Sequence, residues 1–211
     1  MKNIENNSSK AAIIMNGKEI SYNALGKNIH KAVNILKSMN INTHDKIILS
    51  AHKDVEFIYL YFASHILGVT NVIIDAESNQ ERLLYIENKI QPTYCFGYKS
   101  KNFPSIMFNE ISFEEINENN RTQITNVTFS KDDIAEILFT TGTTGAPKGV
   151  CLSYNNIYSS ASNINEYIGN TNNDIELLGL PICHSFGLGR IRCILLKGAT
   201  IVILNNFANV R

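Results

Sequence analysis

Short apolar runs separated by helix-length amphipathic segments recur along most of this chain, and that alternation leaves few architectures open to it. KIILS (46–50), TNVIID (70–75), TYCFGY (93–98), SIMFN (105–109), IAEILFT (134–140), GVCLS (149–153), IELLGLP (175–181) and TIVIL (200–204) have the length and the β-branched or aromatic content of strands. Helical segments are expected at about 54–67, stopped by Gly68, and at 78–90, capped by Ser78. Two more are expected at 154–168, between Ser153 and Gly169, and near 186–196. Strands that read as unbroken apolar runs are buried on both faces, and a helix between two of them makes a parallel crossover. The fold class that follows is α/β, with mainly parallel β-sheets flanked by helices in αβα layers.

Ahead of this rhythm, Asn16-Gly17 separates AAIIM from KEI, which predicts a hairpin with both turn residues at positive φ. Ser21 is placed to cap a helix whose apolar residues Tyr22, Leu25, Ile29, Ala32, Val33, Leu36 and Met39 share one face. The most polar stretch, EEINENNRTQITN (114–126), is expected to be a linker or long surface loop, dividing a first α/β lobe (1–113) from a second (127–211).

Nineteen basic and nineteen acidic residues cancel, without a dense Lys/Arg cluster, which removes the electrostatic footprint of a nucleic-acid binder and favours small-molecule chemistry. No stretch reaches the roughly 18 apolar residues of a membrane span, and the first ten residues hold no apolar signal region, so a cytoplasmic location is expected. Cys95, Cys151, Cys183 and Cys193 are too scattered for a zinc site and are expected to be reduced core thiols.

The segment Phe139-Thr-Thr-Gly-Thr-Thr-Gly-Ala-Pro-Lys-Gly-Val150 sets four hydroxyls, three glycines and one lysine directly after an apolar strand. Glycine lets backbone N–H groups approach phosphate oxygens closely, threonine hydroxyls add donors, and Lys148 adds a mobile positive charge. Ala146-Pro147-Lys148-Gly149 is also a good β-turn, so the segment could serve merely as a connection. It does not match the P-loop pattern, because Pro147 stands where the second glycine belongs and Gly149 where Ser or Thr belongs.

TTGTTGAPKGV resembles the phosphate-loop motif of the adenylate-forming superfamily, which includes acyl- and aryl-CoA synthetases, adenylation domains of peptide synthetases and luciferases. Three further elements fall in that family's order: Ile20-Ser21-Tyr22-Asn23-Ala24-Leu25, HILGVTNVIID (65–75) and LPICHSFGLG (180–189). The resemblance spans nearly the whole chain and implies the amino-terminal portion of an acyl-CoA synthetase-like fold, with the family's mobile carboxy-terminal domain absent. It implies ATP with Mg2+ as cofactors, attack of a small-molecule carboxylic acid on the α-phosphate, and transfer of the acyl group to CoA or to the phosphopantetheine of an acyl carrier protein. Thr140, Thr141, Gly142, Thr143, Thr144, Gly145 and Lys148 are the residues implied to hold the nucleotide, with Lys148 and His184 as the catalytic pair. The Mg2+ ligands are not legible.

His184 follows the run IELLGLP, and in acyl-CoA synthetases the residue at this place borders the carboxylate pocket. Amino-acid adenylation domains usually present an aspartate there, and none lies between Pro181 and Gly189, which favours a plain acyl or aryl acid. Phe186 reads equally as a pocket wall or a core aromatic, while Asp75 and Glu136 are expected to be solvated surface carboxylates. Phe139, Thr141, Asn71 and Ala76-Glu77 depart from the family's usual residues. Two other readings stay open: an amino-acid-adenylating domain, and a non-catalytic nucleotide-binding or interaction module. The 211-residue chain itself is expected to be inactive, the activity belonging to a longer parent.

Overall fold

The computed structural model describes residues 8–113, 128–140 and 147–204. Its strands are β1 (Ala11–Met15), β2 (Lys18–Ser21), β3 (Lys46–Ser50), β4 (Thr70–Ile74), β5 (Tyr94–Phe96), β6 (Ser105–Ile106), β7 (Ile134–Phe139), β8 (Gly149–Ser153), β9 (Ile175–Leu178) and β10 (Thr200–Ile203). Its helices are α1 (Tyr22–Ser38), α2 (Val55–Ile66), α3 (Gln80–Ile90), α4 (Tyr154–Ile168) and α5 (Ser185–Lys197).

Two compact units result, one running from Ile29 to Tyr154 and the other made of two pieces, up to Asn28 and from Asn155 onward. In the first unit the described strands form one sheet in the order β6-β5-β3-β4-β7-β8, parallel throughout except for the β7–β8 pair. Every residue of β4 is buried, as befits a central parallel strand covered on both faces. Strands from both sides of residues 114–126 are neighbours here, since Asn71, Val72 and Ile73 of β4 register with Glu136, Ile137 and Leu138 of β7. The boundaries between units therefore fall at 28/29 and 154/155. Residues 114–126 lie outside the described residues.

The second unit holds the sheet β2-β1-β10-β9. β10 lies between β1 and β9, parallel to both, and only β1–β2 is antiparallel. That antiparallel pair is the expected hairpin, with Met15 opposite Lys18 and with Asn16 and Gly17 at φ 52° and 73°. Those angles suit the inverse turn whose twist matches the strands it joins. Ser21 Oγ accepts from the Ala24 N–H at 3.2 Å, giving α1 its cap.

Three local expectations change. The cap of α3 is Asn79, whose Oδ1 accepts from the Arg82 N–H at 2.9 Å. Ser78 Oγ is instead buried with no hydrogen-bond partner among the described residues. Of the four cysteines, none of them in a disulfide, only Cys95 and Cys193 are buried; Cys151 is exposed on the edge strand β8 and Cys183 is half-buried. Burial pushes the Cys95 thiol up to about 11 and raises that of Cys193 as well. Glu136 is completely buried in β7, not solvated, and accepts a hydrogen bond from the Tyr61 hydroxyl of α2. β7 is an interior strand, so a carboxylate on it reaches a helix side chain rather than water.

Candidate functional site

Antiparallel pairing of β7 with β8 brings Phe139 opposite Gly149 and puts Thr140 beside Lys148 at the carboxyl end of β7. A carbon at Cβ of residue 149 would sit 3.0 Å from Ile137 Cγ2 and 3.3 Å from Phe139 Cζ, so glycine lets β8 lie close against those side chains. The ladder then ends in an unusual way. The Thr140 N–H donates to the Lys148 carbonyl at 2.9 Å, but the Lys148 N–H donates to the Thr140 hydroxyl, at 3.3 Å. In a regular antiparallel pair the Thr140 carbonyl would take that second bond. Here the hydroxyl stands in for it and the carbonyl is released to another donor.

That donor is Arg82 of α3, whose Nη2 lies 3.3 Å from both the Phe139 and the Thr140 carbonyl oxygens. Successive carbonyls of an extended strand point to opposite sides, so one nitrogen reaching both marks where the chain leaves the strand. One turn further along α3, the Tyr85 hydroxyl donates to the Pro147 carbonyl at 3.2 Å. Both ends of the Gly/Thr segment are thus tied to a single helix. The helix is itself fixed: Ile86 and Ile90, four residues apart, join Ile48, Val72, Ile74, Cys95 and Ile137 in one buried cluster, with Leu83, Tyr85 and Phe139 packed on it. Thr140 and Lys148 remain exposed, and their side chains are open to a ligand from solvent.

The structure therefore brings together Thr140 and Lys148 among the expected nucleotide-binding residues. Thr141, Gly142, Thr143, Thr144 and Gly145 lie outside the described residues. Arg82 and Tyr85 were not singled out by the sequence, where ERLLY reads simply as an amphipathic helix. Asp75, at the carboxyl end of the neighbouring strand β4, is exposed as expected and accepts from the Glu77 N–H at 3.0 Å. Among the described residues no group of three or more His, Cys, Asp and Glu side chains could hold a metal ion. The donor set present, a lysine ammonium and a hydroxyl exposed at a strand's carboxyl end, suits phosphate oxygens.

His184 lies in the other unit, at the N-cap of α5, exposed and making no side-chain cap bond. Its carbonyl accepts from the Leu188 N–H at 3.1 Å. Gly187 explains the local path, because a Cβ there would lie 2.1 Å from the Pro181 carbonyl oxygen. Only glycine allows the first turn of α5 to rest on Pro181, and that contact aims the residues between them. Phe186 is 66% exposed, which eliminates the core-aromatic alternative. Further along α5, Arg190 makes a two-point ion pair with Glu176 of β9.

A mostly parallel sheet with a Gly/Thr-rich connection leaving a strand's carboxyl end places the chain in the class of α/β proteins that take their ligands at strand ends. More narrowly, it belongs to the AMP-binding enzyme family, whose model matches residues 2–211. It is 24% identical over 203 residues to the 2-succinylbenzoate–CoA ligase of Staphylococcus epidermidis, covering 96% of this chain and 42% of that ligase. It is 25% identical over 225 residues to the medium-chain fatty-acid–CoA ligase of Escherichia coli, covering 94% and 40%. Among solved structures, O-succinylbenzoate coenzyme A synthetase (MenE) from Bacillus subtilis in complex with AMP superposes with a TM-score of 0.86 at 22% identity, covering 99% of this chain and 55% of that one. ATP-bound MatB from Rhodopseudomonas palustris gives 0.81 at 23% identity, covering 94% and 43%. The chain spans about two fifths of the length of the curated ligases it matches. No helix among the described residues is long and apolar enough to cross a membrane.

Proposed function

We propose that this chain supplies the phosphate-binding part of an AMP-forming acid–thiol ligase, in which a small carboxylic acid is activated by MgATP and passed to a thiol. The reading assigns phosphate contact to Thr140, Thr141, Gly142, Thr143, Thr144, Gly145 and Lys148. The observation that carries it is the end of the β7–β8 ladder, where backbone bonding gives way and Lys148 and Thr140 stand exposed beside each other. MgATP supplies the electrophilic α-phosphorus and the pyrophosphate leaving group. Lys148 and the Thr140 hydroxyl beside it offset the negative charge that grows on the phosphates as pyrophosphate departs, which lowers the barrier. His184 borders the carboxylate of an acyl or aryl acid, and the acceptor thiol is that of CoA or of carrier-bound phosphopantetheine.

The turnover is assigned to a protein of full ligase length that contains this chain, and ATP–pyrophosphate exchange by that protein is the test. Lys148→Ala should lower exchange by about 10²–10³-fold, the usual cost of removing one preplaced donor to developing charge. A loss below about tenfold would remove Lys148 from the reaction. In the same assay simple carboxylic acids should outperform amino acids, since residues 180–189 hold no carboxylate to balance an ammonium group. The opposite ranking would move the protein to the amino-acid-adenylating class.

A further inference from the structure

We propose that Arg82 and Tyr85 are positioning residues: spaced three residues apart on α3, they hold the main chain at Phe139–Thr140 and at Pro147, and so set the Thr140 hydroxyl and Lys148 in the arrangement that meets phosphate. This rests on the phosphate-binding reading above, and adds to it two residues that offer that loop no side chain of the Thr/Gly/Lys set.

Three contacts carry the inference, and all of them end on main-chain carbonyls. Arg82 Nη2 takes those of Phe139 and Thr140 at 3.3 Å each, and the Tyr85 hydroxyl takes that of Pro147 at 3.2 Å. A side chain that reads backbone oxygens fixes the path of the chain whatever residues the chain carries. The Thr140 carbonyl accepts from Arg82, while the Thr140 hydroxyl takes the Lys148 N–H that the carbonyl would accept in a regular ladder. The clamp and the open ladder end are therefore one arrangement, which closes the strand pair at Thr140 and Lys148 and leaves the lysine ammonium exposed.

The clamp is anchored from behind. The Arg82 N–H is held by the Asn79 cap at 2.9 Å, and Ile86 and Ile90 lock α3 into the buried cluster on the sheet. Lys89 Nζ lies 3.4 Å from the Tyr85 hydroxyl and 5.7 Å from the centre of its ring, further limiting that ring's freedom. Arg82 and Tyr85 hold the main chain at Phe139, Thr140 and Pro147 before any ligand arrives, and order imposed beforehand is returned as affinity.

The test uses the 211-residue chain with MgATP as probe, titrated calorimetrically, beside amide hydrogen exchange read at Thr140 and Lys148. Arg82→Ala should weaken MgATP by about tenfold or more and Tyr85→Phe by about threefold, in line with loss of charge-assisted and neutral hydrogen bonds respectively. Both should speed exchange of the Thr140 amide while the β3–β4 ladder amides keep wild-type protection. Arg82→Lys should recover part of the loss, and it guards against an Arg82→Ala chain that fails to fold. Tyr85→Phe alters no charge, so its loss reports geometry rather than direct attraction of phosphate. If Lys148→Ala weakens MgATP while Arg82→Ala and Tyr85→Phe do not, the clamp is overturned and the phosphate-binding reading stands. Faster exchange at Thr140 without any change in affinity would also overturn it, since the contacts would then serve stability alone. If the wild-type chain does not bind MgATP, the phosphate-binding reading falls and the clamp falls with it.

Discussion

The end of the β7–β8 ladder and the element around His184 are both short segments leaving a strand, yet they are positioned by opposite means. At the ladder end, the contacts come from side chains 57 to 62 residues away, Arg82 and Tyr85, acting on carbonyls. At residues 181–187 the constraint is local and steric: Gly187 lies against Pro181, six residues earlier, so closely that no side chain fits. Distant hydrogen bonds can be weakened one at a time, whereas a backbone contact of this kind is present or absent. The first arrangement holds a segment by its two ends, at Thr140 and Pro147, whereas the second fixes the backbone where a helix begins.

The largest effect that would break this comparison is expected from Gly187→Ala. The added methyl must move either α5 or the Pro181–Ile182 backbone, at a cost of about 2–3 kcal/mol, seen as a lowered Tm in thermal unfolding. Unchanged stability would mean that Pro181 yields and that the steric account of the histidine element is wrong. Next comes Tyr61→Phe, which deletes one donor to the buried Glu136 carboxylate on β7, the strand that leads into the Gly/Thr segment. A loss of about 1–3 kcal/mol in denaturant unfolding is expected, and a loss below about 0.5 kcal/mol would show that this bond contributes little to holding β7.

The smallest effect concerns the buried thiols, one in each unit. Burial raises Cys95 from 9.0 to about 11, so the folded state holds its proton more tightly than the unfolded chain does. The stability tied to that proton is intact below pH 9 and declines as pH rises from about 9 toward 11, because there the unfolded chain binds fewer protons than the folded one. Cys95→Ala should flatten that part of the alkaline Tm profile. Alkylation of the native chain at pH 8 should modify exposed Cys151 well before Cys95 or Cys193, and equal rates at all three would contradict their burial.

Much of the architecture was legible beforehand. Strand and helix limits fell within a residue or three of expectation, since apolar periodicity, glycine stops and the Asn16-Gly17 turn all act within a few residues of one another. The chemical character of residues 139–150 was equally plain, because donors and glycines declare themselves by type. The misses share a cause. Ser78 and Asn79 are both good caps, and only the extended backbone at Asn79 decided between them. Glu136 and Cys151 sit on adjacent strands of one sheet, one completely buried and the other exposed, and that difference follows from interior or edge position. Arg82 looked like any helix-surface cation.

By itself, the sequence determined the kinds and limits of the elements and the donor-rich, glycine-rich make-up of one connection, because these depend on side-chain type and on interactions spanning about four residues. Tertiary structure alone decided that β10 pairs with β1 from the far end of the chain, that β7 joins β4 across the polar stretch, and that α3 takes hold of the Gly/Thr segment at both ends. Those choices depend on which buried faces meet, and burial is a property of the assembled chain.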